Sequence, residues 1–132
     1  MIAIDTNVLV RYVVRDDAAQ AEAARELLDD LTLERPGFIC REVLVEIVWV
    51  LERAYGFARG ETAAVVEGLV STASLVVEDA DAVARAAARY GAGGPDFADR
   101  LILAAAERNG ARRLYTFDRR LARLEGAALL QA

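Results

Sequence analysis

Along the chain, short apolar runs take turns with longer stretches in which apolar positions recur every three or four residues. The short runs read as strands at Ile2 to Ile4, Gly37 to Cys40, Ser74 to Val77 and Arg113 to Phe117, with a weaker one at Ala128 to Leu130. The longer ones predict helices over Thr6 to Val14, Ala18 to Leu31, Arg41 to Tyr55, Glu61 to Thr72, Ala80 to Tyr90 and Phe97 to Asn109, with a short one from Arg119 to Leu124. Strands separated by helices in this way specify an α/β fold, a parallel sheet of four to five strands flanked by helices. The GAGGP segment, Gly91 to Pro95, stops one helix and allows a tight entry into the next. The helix from Ala18 carries an apolar stripe of Ala21, Ala24, Leu27, Leu28 and Leu31, opposite Glu22, Arg25, Glu26 and Asp29. That pattern suits an ordinary surface helix or a docking face for a partner helix.

Composition narrows the picture. The 132 residues fit a single domain spanning 1–132, with 55% hydrophobic and 28% charged residues, and no repeat or low-complexity segment divides them. The most apolar run, Val43 to Leu51, is too short for a membrane span and contains Glu46, and the chain starts on a strand-like IAI without a charged leader, so a soluble, cytoplasmic protein without membrane contact is expected. The one cysteine, Cys40, excludes an internal disulfide and any multi-cysteine zinc site, and it reads as a small buried hydrophobe. The chain contains no histidine, which removes imidazole acid-base chemistry and the serine-histidine triads. All 16 cationic side chains are arginine, so Schiff-base chemistry and the phosphate-loop lysine are also excluded. Polar chemistry must run mainly on carboxylates. The net charge of −5 argues against coating nucleic acid by charge alone. It leaves a nuclease open, because acids gathered round bound cations present a neutral or positive site to phosphate.

Ligands of a parallel α/β sheet gather at the carboxyl ends of its strands. Asp5 follows MIAI, Asp118 follows LYTF, and Asp96 and Asp99 open the helix after the glycine-rich turn. Glu46 interrupts LVEIVWVL, a helix that looks apolar on nearly all sides, where a carboxylate needs a cation nearby. Each acid also has a plain structural role open to it. Asp5 and Asp118 are good N-caps, Asp96 with Asp99 three residues on fits a capping-box-like arrangement, and Glu46 suits a buried pair with an arginine. Carboxylates meeting at one sheet edge repel one another unless divalent cations neutralise them, and an all-oxygen set suits magnesium or manganese.

DTNVLVRY (Asp5 to Tyr12), LVEIVWVLERAYG (Leu44 to Gly56), DFADRLILAAA (Asp96 to Ala106) and LYTFDRRLARL (Leu114 to Leu124) together resemble the PIN-domain ribonucleases, and within them the VapC-type toxins of type II toxin-antitoxin systems. The resemblance implies a three-layer, Rossmann-like PIN fold in which Asp5, Glu46, Asp99 and Asp118 bind Mg2+ or Mn2+. Asp96 is then an auxiliary acid or a cap, while Thr6, Asn7 and Thr116 orient carboxylates or phosphate. It implies an endoribonuclease in which activated water attacks an RNA phosphodiester, leaving a 5′-phosphate and a 3′-hydroxyl. Arg119, Arg120 and Arg123 are candidates for holding RNA phosphates, although a solvated helix face is the plainer reading of them, and Arg112 and Arg113 are weaker candidates. The resemblance further implies a homodimer and a cognate, VapB-like antitoxin, contacting the helices around Val8 to Leu31 and Val43 to Leu51.

Rival readings are weaker. A HAD-type carboxylate phosphatase needs a second aspartate two residues after the first, where this chain has Asn7, and it also needs a lysine. Response-regulator receivers need that lysine and paired acids after the first strand. A PIN fold without a toxin role, in RNA processing or as a non-catalytic scaffold, remains the alternative, although all four core acids are present.

Overall fold

Strands and helices alternate as β1 (Ile2–Ala3), α1 (Thr6–Val14), α2 (Ala18–Asp29), β2 (Gly37–Ile39), α3 (Arg41–Tyr55), α4 (Arg59–Ser71), β3 (Leu75–Val77), α5 (Ala80–Ala92), α6 (Phe97–Arg108), β4 (Leu114–Thr116), a 3-10 turn at Leu121–Arg123, and β5 (Ala127–Leu129). These come from a computed structural model that describes residues 1–132. All strand pairings are parallel, as the alternation predicts. The hydrogen bonds divide the strands into a three-stranded ladder, with β2 between β1 and β3, and a two-stranded ladder of β4 with β5.

The predicted elements are all present except the last helix. There, the Asp118 carboxylate accepts from the backbone N–H groups of Arg120 and Leu121, closing a tight turn that continues only as the 3-10 segment. α2 ends two residues early, because Asp29 and Asp30 place negative charge at the end of the helix its dipole disfavours, and the chain then turns through Thr32 and Arg35. α4 starts two residues early, because the Glu61 side chain accepts from the Ala58 N–H and so completes the first turn. Gly37 in β2 is required by close packing: a Cβ there would lie 2.6 Å from Ile4 Cδ1 and 2.9 Å from Leu31 Cδ1.

The core runs from Ile4 and Leu9 through Ile39, α3 and α4 to Val77, α5, Phe97 and Leu101. α3 contributes Val43, Leu44, Ile47, Val48 and Leu51, recurring at helical spacing, and each such burial stabilises by about 1.5–3 kcal/mol. This face corrects two sequence expectations. Glu46 is exposed, not embedded among apolar neighbours, and Trp49 beside it is 61% exposed, so α3 is an amphipathic helix with an outward edge. The five core residues of Val43 to Leu51 are likewise closed to any partner. Cys40 is half-buried at the N-cap of α3. The stripe of α2 packs unevenly against α1: Ala24 is buried, Leu28 and Leu31 are half-buried, and Leu27 is exposed. No helix is long and apolar enough to cross a membrane.

β4 and β5 contribute nothing to this main core. Their segment is anchored instead by buried Leu121, with buried Leu103 of α6 beside Gly126. A polar tie fixes the other end of α5. The Tyr90 hydroxyl donates to the Glu52 carboxylate of α3, which also accepts from Thr62 of α4. Burial, chiefly, with the Glu52 carboxylate beside it, pushes the Tyr90 hydroxyl up to about 12, so it stays protonated and donating.

Candidate active site

The first group of acids forms where β1 runs into α1. Asp5 is the N-cap of α1 in extended backbone, and its Oδ1 accepts from the Thr6 N–H at 2.8 Å, as the sequence suggested for a cap. Oδ2 has no protein partner. Thr6 is buried, and its hydroxyl donates to Glu46 Oε1 at 2.9 Å, across a sequence separation of forty residues. One threonine therefore holds Asp5 by its backbone and Glu46 by its side chain. Asn7 is exposed and faces a cleft between α1 and α2 with Gln20 and Ala24, away from this contact.

The second group surrounds the entry to α6. Gly93 and Gly94 have φ of 129° and 76°, which glycine alone adopts without strain, and their carbonyls are tied down by three arginines. Arg59 and Arg120 both donate to the Gly94 carbonyl, at 2.9 and 2.6 Å, and Arg100 donates to the Gly93 carbonyl at 2.9 Å. Arg59 also lies 4.2 Å over the Tyr90 ring. Asp96 is the N-cap of α6, but its side chain makes no cap bond and instead faces Arg59 at 3.9 Å, so the capping-box expectation does not hold. Asp99, half-buried in the first turn, meets no side-chain donor, and only the backbone N–H of Asp96 lies close to its carboxylate. Burial, with the negative charges of Asp96 and Asp118 nearby, raises its pKa above the ordinary aspartate value; the Asp96 backbone N–H acts weakly the other way. Asp118 is held by the Arg120 and Leu121 N–H groups on Oδ1, and its own N–H donates to Thr116 Oγ1 at 2.9 Å.

The structure thus brings the predicted acids into two groups, Asp5 with Glu46 and Asp99 with Asp96 and Asp118. No three acids converge tightly enough to hold one ion together. In donor chemistry each group suits a hard divalent cation: carboxylate oxygens without protein partners, none of Asp5, Glu46, Asp99 or Asp118 ion-paired to an arginine, and mutual repulsion at Asp99 that a cation would relieve. Magnesium is commonly held by only one or two carboxylates and keeps several waters, so a pair suffices. The acids ending β3 differ. Glu78 accepts from the Arg41 N–H at the start of α3, and Asp79 lies between Arg41 and Arg108 at 3.3 and 3.2 Å, already neutralised.

Arg59 and Arg100 were not singled out in the sequence. Arg100 did carry a signal: a cation in the first turn of a helix opposes the dipole and needs another reason to be there. Arg59 carried none, since its contacts lie about thirty residues away.

The PIN domain pattern matches residues 2–127, nearly the whole chain. This chain belongs to the PIN domain family, a nuclease-type fold. No curated relative matches it.

Proposed function

We propose that this chain is a Mg2+- or Mn2+-dependent endoribonuclease, acting as the toxin of a toxin-antitoxin pair, with Asp5, Glu46, Asp99 and Asp118 as its metal-binding acids. The observation that carries the reading is the treatment of these four carboxylates in a chain without histidine or lysine. All lie free of arginine, and three are oriented through a single oxygen by Thr6 or by the turn after Asp118. Family membership supplies the nuclease class. A bound cation supplies activation of water and stabilisation of the charge that develops on the phosphodiester.

The chain's own residues do the positioning. Thr6 holds Asp5 and Glu46 in register, and the turn after Asp118 fixes one oxygen of that carboxylate. Asp99 has no side-chain partner and only a weak contact from the Asp96 backbone N–H, which leaves its carboxylate open to a ligand. Thr6 and Thr116 orient the acids, and Asn7 has no contact that supports such a role. The toxin role, the VapB-like antitoxin and the homodimer rest on the likeness of the four sequence blocks to VapC-type toxins. An antitoxin has Glu46 and Trp49 available on the exposed edge of α3, and Leu27 on α2.

The test is cleavage of structured RNA by the purified chain. Activity is expected only with Mg2+ or Mn2+, with products carrying 5′-phosphate and 3′-hydroxyl ends. Activity that persists in excess chelator would overturn the mechanism. Binding without cleavage in the presence of metal would favour the non-catalytic scaffold. Growth arrest on expression, relieved by co-expressing an adjacent antitoxin reading frame, tests the toxin role separately.

A further inference from the structure

Positive charge is unevenly placed in this acidic protein. From α5 onward, residues 80–132 hold nine arginines against six acids, a net charge of +3, whereas residues 1–79 hold seven against fifteen, a net charge of −8. Pairing is uneven as well: Arg108 alone of those nine lies within salt-bridge distance of a carboxylate. Six of the eight others, Arg85, Arg89, Arg100, Arg112, Arg120 and Arg123, line the gap between α5, α6 and the 3-10 turn.

Arg85, Arg89, Arg100 and Arg112 line a cavity of about 550 Å³, with Glu107 and Glu125 on its wall. Arg89, Arg100, Arg120 and Arg123 line an adjoining one of about 440 Å³. The two share Arg89, Arg100 and Leu124, and so form one trough. Its floor at one end is Gly93 to Pro95, the loop leading straight into Asp96 and Asp99. Arg85 and Arg89, one helical turn apart, project on the same face of α5. The Arg100 Nε is buried without a hydrogen-bond partner. Arg100 is half-buried and the other trough arginines are exposed, so the cluster is solvated but concentrates positive potential in one concave surface, which attracts an anion.

At the far end, Arg112 also borders a small hollow with Arg113 and Tyr115. Tyr115 of β4 and Phe117, just after the strand, are 59% and 67% exposed. Exposed aromatic rings interleaved with arginines form a stacking platform for unpaired bases, sequence-tolerant because every base has a π-face.

Resting on the ribonuclease reading above, we propose that the trough from Arg85 and Arg89 past Arg100 to Arg120 and Arg123 carries the phosphates of a single-stranded RNA segment leading to the acids, with its bases stacked on Tyr115 and Phe117. Arginine suits the task, since its planar fork matches phosphate oxygens. The trough explains how a chain with a net charge of −5 holds a polyanion.

The experiment measures binding of a fluorescent single-stranded RNA to the full chain in an Asp99→Asn background, across a salt series, with wild-type cleavage run in parallel. R85E/R89E is expected to raise Kd about tenfold or more and to lower the slope of log Kd against log salt by roughly 0.7 per lost contact. Y115A is expected to weaken binding roughly five- to hundredfold with the slope unchanged, since stacking is not ionic. R35E/R53E carries the same change in net charge outside the trough, and is expected to leave both quantities near the parent values. Circular dichroism confirms that each variant is folded.

Unchanged Kd and slope in R85E/R89E, with wild-type cleavage intact, would overturn the trough and leave the ribonuclease reading standing. A comparable loss in R35E/R53E would overturn it too, as a general charge effect. A wild-type chain that neither binds nor cleaves RNA would overturn both. R85E/R89E losing an acidic peptide but not RNA would reassign the trough to a protein partner.

Discussion

Asp5 and Asp99 are both acids at the mouth of a helix, yet the molecule treats them differently. Asp5 is satisfied on one oxygen by the Thr6 N–H, and the same threonine orients Glu46, so that corner is ordered by the protein's own hydrogen bonds. Asp99 is half-buried, has no donor but a weak one from the Asp96 backbone N–H, and faces two like charges. The first corner is built as a rigid reference, and the second stores repulsion that a cation would release. The same division runs through the charge distribution, because Asp5 lies in the acidic part of the chain and Asp99 directly precedes Arg100 of the arginine-lined trough.

The sharpest way to break this comparison is Asp99→Asn. Cleavage is expected to fall by well over about a hundredfold, more than residues that merely support a metal ligand usually cost. The melting temperature of the metal-free protein should rise, because the substitution removes a repelled, half-buried charge. If calorimetry shows D99N less stable than the parent without metal, Asp99 is not the strained member of the pair. Asp5→Asn should also abolish cleavage, but without that gain in stability.

Thr6→Val tests the rigid corner. It keeps the shape of the side chain and deletes the hydroxyl that holds Glu46. Activity should fall by about ten- to hundredfold, and stability by about 1 kcal/mol. Thr6→Ser should restore most of the activity, since it restores the hydroxyl. Equal losses in both variants would mean that packing, not the hydrogen bond, is what matters at Thr6.

The smallest effect is on pH dependence. Asp99 has a raised pKa in the folded state, so the folded chain retains a proton that the unfolded chain releases. Its contribution to stability is therefore lost as pH rises from the ordinary aspartate range through that raised value. Titrated urea unfolding of the metal-free protein should show this fall relative to D99N, and Mg2+ should flatten it. A difference between the two proteins that grows toward low pH would reverse the assignment.

Much of the architecture was legible in the apolar periodicity. The alternation of strands with helices fixed the parallel pairing, and α1 and α3 have the boundaries their patterns predicted. The acids Asp5, Asp99 and Asp118 were legible because strand ends and helix starts are local features. Glu46 was singled out for a reason the fold does not bear out. The run LVEIVWVL looks apolar all round, yet α3 turns Glu46 and Trp49 outward, and only packing decides which side of a helix faces the core. Asp96 as a cap failed for a similar reason, because a distant arginine, Arg59, lies beside its carboxylate.

The sequence by itself therefore determined which chemistry is open to the chain: without histidine or lysine, apolar periodicity and residue type leave carboxylates at strand ends and helix starts as the candidate groups. Tertiary structure alone decided how those groups are held. Thr6 reaches Glu46 across forty residues, Arg59 and Arg120 meet at the Gly94 carbonyl, and arginines from α5, α6 and the 3-10 turn close into one trough. Such contacts join segments far apart in sequence, and they exist only once burial of the common core has fixed the distances between them.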